Sequence, residues 1–465
     1  VKRLLLALLL STSAAAHAQS LSKALVVPTC AQGRELEQVG PGLQQLTMDT
    51  QGRLCAAATN AGGTNMVTPL MVNTAAVAAT VQGQNPFGSN WNAAALRGSP
   101  SPIPGTVSNL TVHTLAQIVT GYYTFSFYVG GATTVQCSIG QGGPNLGTNQ
   151  QCSDTVDTAD VYAGNIIAFQ SQPTGTPTAT GNIGLSALFT SANGQESLIG
   201  SSTNNFISQT GITYLGPSGF AAVTTDQLAA AVMPTDGVLD HLYVSVPYAL
   251  LTTASIQFTV FKNGVATSIT TTCSAPNNTP PQQCTDLTHS LSVAPKDTIS
   301  LQICPSNAAG CAAGAGVGNV TIAFSLRWQP AVLHQAVLFS NPNSNSATTN
   351  YLAVAGVQNG TVSTNETLVQ NISPGTMTLG NLLAAQCPAI SATVSRNVTL
   401  RSNSVSRAPT VTLPAGSTVC PTLDIEQDTT DTYQTSASEL LSILTTVTGG
   451  GINPLFRASM TATVP

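Results

Sequence analysis

An all-β fold, built as three tandem β-sandwich domains stapled by disulfides, is the architecture this sequence predicts. Three observations predict it: a long repeat of strand-like segments, hairpin turns set between them, and an even number of cysteines behind an export signal. The repeat is clearest from Gly237 to Trp328, where GVLDHLYVSV, SIQFTVFKNG and NVTIAFSLRW read as short strands. GTVSNLTVHT opens a relative at Gly105 and leads to YYTFSFYVGG and NIGLSALFTS. GTMTLGNLLA opens another at Gly375 and leads to RNVTLRSNS and LFRASMTATV. The opening glycines are 237 − 105 = 132 and 375 − 237 = 138 residues apart, a domain-sized period.

At 465 residues the chain has room for about three domains. Residues 1–18 have the parts of a secretory signal: Lys2 and Arg3, an apolar run Leu4 to Leu10, and Ala16-His17-Ala18 as the cleavage site. That run is far short of the ~20 apolar residues a membrane span needs, so a leader cleaved near Ala18 is expected rather than an anchor. Val1 reads as a GTG start codon, which points to a bacterial gene. No membrane span is expected later in the chain. Charged residues are only 7%, against ~25% in ordinary proteins, while 42% of residues are hydrophobic, enough for a core. A net charge of −5 opposes nucleic-acid binding, which needs clustered Lys and Arg. A neutral surface rich in hydroxyls and amides fits a secreted extracellular or cell-surface protein.

The expected division is a signal over 1–18, a disulfide-clipped N-terminal segment over 19–59, and three units over 60–194, 195–330 and 331–465. In the N-terminal segment, Asp49-Thr50-Gln51-Gly52 between Leu46–Met48 and Leu54–Ala58 reads as a hairpin turn. Each unit is expected to begin with an aromatic before alanines: Trp91-Asn92-Ala93, Phe220-Ala221-Ala222 and Tyr351-Leu352-Ala353. A proline then precedes each opening glycine, and the strand that follows runs through Leu110, Leu242 or Leu382. Next come hairpins turning at Gly130-Gly131, at Asn263-Gly264 and near Asn403, where Asn and Gly tolerate positive φ. Val161 to Ile167 and Val293 to Ile299 read as strand, turn, strand. Two helix signals compete with this pattern. Asp226 to Val232 reads as two helical turns capped by Thr225. Ser436-Ala437-Ser438-Glu439 matches a capping box, although the repeat places Leu440–Leu444 on a strand equivalent to Ile299–Ile303.

Ten cysteines in an exported chain imply disulfides. Spacing pairs them as Cys30–Cys55, Cys137–Cys152, Cys273–Cys284, Cys304–Cys311 and Cys387–Cys420, with Cys152, Cys284 and Cys420 at matching points of the repeat. No pair has zinc-ligand spacing with a histidine beside it.

The KNG-type hairpin, the V-x-x-G/K-D/N-x-I strand pair and the closing strand VTIAFSLRW together resemble the compact jelly-roll domains of the C1q and tumour-necrosis-factor class. The likeness is to those at the C termini of bacterial collagen-like surface proteins and related fibre proteins, over about 105–191, 237–328 and 375–464. The resemblance implies jelly-roll-like sandwiches, trimeric assembly, and roles in adhesion, display or assembly. The chain departs from the pattern in lacking a Gly-X-Y stalk and in carrying three units. Either one chain imitates a trimer or the units lie in a row.

The residues offer no catalytic constellation and no metal site. His113, His241, His289 and His334 stand in no H-x-x-x-H or H-E-x-x-H arrangement, and Gly216-Pro217-Ser218-Gly219 is one residue short of a nucleophile elbow. Gly314, Gly316 and Gly318 read as a loop rather than a phosphate cradle. Asp154, Asp157 and Asp160, and Asp424, Glu426, Asp428 and Asp431, read as a solvated acidic rim, with calcium as the alternative; the second unit keeps only Asp286 there. The chain is therefore read as a non-enzyme without a cofactor: an exported structural subunit of an extracellular assembly, with self-association as its partnership. A surface adhesin binding glycan is the alternative, and a secreted β-rich hydrolase comes third.

Overall fold

The computed structural model describes residues 65–88, 91, 98–148, 150–203, 211–217, 223–247, 255–274, 282–306, 321–340, 349–356, 362–387, 395–415, 423–447 and 455–465, and three two-residue strands nearer the N terminus. Contacts divide the chain into a unit over 1–64 and a unit over 65–465. In the first unit β2 (Thr47–Met48) pairs antiparallel with β3 (Leu54–Cys55) across the expected turn, and β1 (Arg34–Glu35) pairs with β2. The leader over 1–18 and Cys30 lie outside the described residues.

The second unit is all-β and contains three sandwiches. The first comprises β4 (Val67–Thr74), β5 (Gln82–Gln84), β6 (Ser99–Pro100), β7 (Gly105–Thr114), β8 (Tyr122–Val129), β9 (Ala132–Gly140), β10 (Gln151–Asp154), β11 (Ala159–Val161), β12 (Ile166–Thr174) and β13 (Ile183–Ser191). One sheet runs β10-β7-β13-β4 and the other β5-β12-β8-β9, with β11 on β7 and β6 on β12. The second comprises β14 (Ser197–Ser202), β15 (Thr213–Leu215), β16 (Ala231–Val232), β17 (Gly237–Val246), β18 (Ser255–Lys262), β19 (Val265–Ser274), β20 (Gln282–Val293), β21 (Thr298–Ser306) and β22 (Ala323–Pro330). The third comprises β23 (Ala336–Ser340), β24 (Asn350–Leu352), β25 (Asn371–Ile372), β26 (Thr378–Cys387), β27 (Arg396–Ser402), β28 (Val405–Leu413), β29 (Asp424–Gln434), β30 (Leu440–Val447) and β31 (Leu455–Thr463). Their sheets, β14-β22-β17-β20 with β15-β21-β18-β19 and β23-β31-β26-β29 with β24-β30-β27-β28, repeat the first order strand for strand.

Alternation explains each core. Along β18, Ile256, Phe258 and Val260 are fully buried while their neighbours are half-exposed; they meet Leu239, Leu242, Phe324 and Trp328 from the facing sheet in one apolar cluster. The hairpin turns follow their residues. Asn263 and Gly264 take φ 52° and 78°, and Asn403 and Ser404 take 46° and 62°, the positive values a two-residue turn requires. The β7, β17 and β26 strands each bulge at one left-handed residue, Asn109, His241 and Asn381, just before Leu110, Leu242 and Leu382.

The ladders correct several sequence alignments. Leu382 matches Leu242, but the residue in register with Gly105 and Gly237 is Met377, not Gly375. An added Cβ at Gly105 would lie 2.5 Å from the Phe189 ring, and one at Gly237 would lie 2.4 Å from the Trp328 ring. The residue matching these aromatics in the third sandwich is Ala462, opposite Leu379, so a side chain fits where glycine was required. Cys152 and Cys284 face Val112 and Val244, and the third-sandwich residue at that point, facing Ala384, is Glu426, not Cys420. Tyr351 matches Tyr214 and Gly83, through Leu352, Leu215 and Gln84 on the edge strands, not Trp91 or Phe220. Ile299 matches Leu441, so that expected alignment was one residue out. The helix at Asp226 is a single turn, Asp226–Ala229 (α1), without a side-chain cap from Thr225, because Ala231–Val232 leave it to pair as β16 with β21.

Candidate functional site

The residues that recur in all three sandwiches are spent on the main chain. Asp154, Asp286 and Asp428 occupy one equivalent position, facing Leu110, Leu242 and Leu382. Each carboxylate accepts a main-chain N–H from the neighbouring hairpin strand: Gln136 at 2.9 Å, Thr270 at 2.9 Å and Thr410 at 3.1 Å. Each also accepts two from the residues after it, Val156 and Asp157, Thr288 and His289, and Thr430 and Asp431, at 3.0–3.2 Å. Burial pushes Asp286 up, but these amides and the His289 ring outweigh it and bring it down to about 2. Asp428 is lowered by the same balance. The side chain thus stands in for a backbone ladder between β9 and β10 and their counterparts, covering an edge that would otherwise be open. These lone pairs, read in the sequence as a rim or a calcium site, are taken up by amides. Among the described residues no three His, Cys, Asp or Glu side chains converge as they would around a metal ion.

A second recurring device lies at the turn between the two sheets. Gly164, Lys296 and Ser438 have φ of 84°, 74° and 63°. The next residue in each, Asn165, Asp297 or Glu439, accepts from the main-chain N–H of Tyr162, Ala294 or Ser436 at 2.9, 2.7 and 2.7 Å. The apparent capping box at Ser436 is this turn. Its glutamate makes the reach-back hydrogen bond of a capping box without a helix following.

Two disulfides join β9 to β10 and β19 to β20: Cys137–Cys152 and Cys273–Cys284. Cys304 is also disulfide-bonded; Cys311, Cys420 and the side chains of Cys55 and Cys387 lie outside the described residues. The histidines are dispersed. His113 is half-buried, which lowers its pKa. His289 contacts Asp286 at 2.9 Å, His241 contacts Asp240 at 3.0 Å, and the His334 main-chain N–H donates to Gln195 Oε1. Asp240 also takes a two-pronged ion pair from Arg327, which reaches Glu196 as well.

The arrangement that sets this molecule apart is the docking of its sandwiches on one another. The first strands, β4, β14 and β23, pack together at a common axis around a void of ≈ 20 Å³ lined by residues such as Leu70, Leu198, Ile199, Leu338 and Phe339. Side chains cross there into neighbouring cores: Leu198 joins the first core, Phe339 the second and Met71 the third. Around this axis one contact is used three times. β6 packs on β22, β16 on β31 and β25 on β13, so the first sandwich docks on the second, the second on the third, and the third on the first. Ser325 donates to the Pro100 carbonyl at the first seam, and its equivalent Ser459 donates to the Val232 carbonyl at 2.6 Å at the second. A head-to-tail contact repeated this way closes into a ring.

The three seams share geometry and differ in chemistry. The first is hydroxyl- and amide-rich, with Ser99 donating to Phe324 O at 3.3 Å and Gln283 to Gly164 O at 2.7 Å. The second combines an apolar patch, Val232 packing on Leu383 and Ala385, with charged groups: Lys296 Nζ donates to Ile425 O at 3.4 Å, and buried Asp226 and Arg457 attract each other across it. The third is built on amides: Asn73 Nδ2 donates to Gln370 O at 2.9 Å, and Asn182 Nδ2 to Leu368 O at 2.7 Å. The Gly356 carbonyl also accepts from Asn73 N at 3.2 Å. β4, β14 and β23 fall outside a repeat framed from the opening glycines, because these strands precede them. Their apolar runs, PLMV, SLIG and AVLF, were the available signal.

No protein-family model matches this chain, and no curated protein matches it either. Among the described residues no helix is long and apolar enough to cross a membrane.

Proposed function

We propose that this protein is an exported structural subunit, carrying a trimer of jelly-roll-like domains in one chain and forming part of an extracellular or cell-surface assembly. The observation that carries this reading is the closed three-sandwich ring, made by one docking contact repeated with three chemistries. Three distinct seams let each sandwich recognise its proper neighbour, which one chain needs and a homotrimer does not. The reading also draws on the likeness of the sequence to C1q and tumour-necrosis-factor domains, whose trimers serve adhesion and display. The recurring polar residues are engaged in holding the fold, as a scaffold requires. A chain with few charges generates little electrostatic repulsion when many copies pack. Electron microscopy and light scattering of the mature protein test the reading: filaments, lattices or discrete oligomers are expected, and a chain that stays monomeric at high concentration refutes it.

Glycan binding is a second reading, favoured by one observation. Tyr162 is 67% exposed beside the first seam, where Gly164 meets Gln283, an aromatic and an amide of the kind that hold sugar rings. Glycan-array binding abolished by Tyr162→Ala supports it, and binding unchanged by that substitution removes it.

A further inference from the structure

The ring is closed by a seam that no linker crosses. Five residues, 192–196, join β13 to β14, and five, 331–335, join β22 to β23, whereas among the described residues the third sandwich meets the first through non-covalent contacts. Those contacts are generic to any copy. The groups offered by the third sandwich are the carbonyls of Gly356, Leu368 and Gln370, and the first sandwich answers with two asparagine amides and with Gly184, whose added Cβ would lie 3.1 Å from Gln370 O. The contact is also the incomplete member of its set. Ser186, equivalent to Ser325 and Ser459, is fully buried with no hydrogen-bond partner for its hydroxyl among the described residues. The linkers differ too. In 192–196 the Gly194 carbonyl is held by Met66 N at 2.8 Å and Gly194 is buried; in 331–335 hydrogen bonds hold the two ends, Ala331 N donating to Asp236 O at 3.1 Å and His334 N to Gln195 Oε1 at 2.7 Å, and the middle pair, Val332 and Leu333, stand 53% and 62% exposed. Two adjacent uncovered apolar side chains sit where a hinge would have to straighten.

We propose that the third sandwich exchanges between two copies of this chain, with 331–335 as the hinge. In the exchanged dimer the third sandwich of each copy docks on the Asn73, Asn182 and Gly184 surface of the other. The inference rests on the reading of the protein as an assembling subunit, and names its partner and joint. Exchange keeps every seam contact, so the balance between closed ring and dimer is set by concentration and by the hinge. Five residues extend to roughly 17 Å, room for the two hinges to run past each other and cover Val332 and Leu333.

The test is a cross-link across the closing seam. Gly184→Cys with Ile372→Cys places two thiols where the added Cβ lies 3.6 Å from Ile372 Cγ2, and Leu188→Cys with Gly375→Cys is a second pair, 3.7 Å by the same measure, in case the first disturbs folding. Isotope-labelled and unlabelled full chains are unfolded, mixed, refolded together at high concentration in a redox buffer, and cross-linked peptides are read by mass spectrometry. Exchange predicts a covalent species of twice the chain mass, with cross-links joining labelled to unlabelled peptides. Cross-links confined to single chains overturn the proposal. If those chains still assemble, the structural reading survives and another surface is the joint; if they remain monomeric, both fall.

Discussion

Asp286→Asn removes the charge on which three main-chain N–H groups close, and the structure sets both its cost and its pH dependence. The Asp286 side chain is 4% exposed, so solvent screens these hydrogen bonds little. Its pKa falls from the ordinary 3.8 to about 2, a difference worth about 2.5 kcal/mol of folding stability at neutral pH. Because the folded-state value is the lower one, this stability is fully present above the unfolded pKa and is lost as pH falls through the folded one. The variant is therefore expected to lose about 2–3 kcal/mol at pH 7 relative to the parent, with the gap closing between about pH 4 and pH 2. Denaturant unfolding of both proteins at pH 7 and at pH 2.5, with the m-value unchanged, measures it. A gap of the same size at both pH values, or one below about 0.5 kcal/mol at pH 7, refutes the argument that the carboxylate charge fastens the hairpin strands.

Ser438→Gly relieves a left-handed residue at the place where the first sandwich already carries Gly164, and is expected to stabilise by up to about 1 kcal/mol, read as a rise in Tm. Gly237→Ala drives a Cβ to 2.4 Å from both Gln329 O and the Trp328 ring and is expected to cost at least about 2 kcal/mol. Gly237→Met with Trp328→Ala copies the Met377 and Ala462 pairing, and its destabilisation in chemical unfolding is expected to be smaller than the sum of the two single changes; simple additivity would count against the exchange of volume. Removing the Cys273–Cys284 bridge by paired serine substitution opens a short loop with a sequence separation of 11 and is expected to cost about 2–3 kcal/mol, with the Cys137–Cys152 pair behaving alike.

Strands, hairpins and repeat period were legible because they are local. Asn263-Gly264 announces its own turn, and alternation along Ile256, Phe258 and Val260 announces a buried face. Equivalences across the repeat were less secure because identity drifts where volume is shared between strands. Gly237 and Met377 do not look alike until Trp328 and Ala462 are set beside them. Asp160 and Asp431 are exposed, as a rim requires, but Asp154, Asp286 and Asp428 are not rim residues, for a similar reason. Asp286 looks like a rim carboxylate in the chain, yet the amide that defines it, Thr270 N, comes from another strand. The capping-box pattern at Ser436 shows the same limit, since its hydrogen bond suits a helix or a turn and the sheet chose the turn.

By itself, the sequence determined the all-β class, the threefold repetition and the hairpins, all of which follow from side-chain period and turn chemistry within a few residues. Whether the three units stand in a row or close on one another was decided only in the tertiary structure. Docking depends on surfaces assembled from separate strands, β6 on β22, β16 on β31 and β25 on β13, and on apolar strands meeting at an axis. Ser325 and Ser459 are unremarkable hydroxyls in the chain. They become seam residues because the docking of the sandwiches brings each to the carbonyl of a neighbouring one.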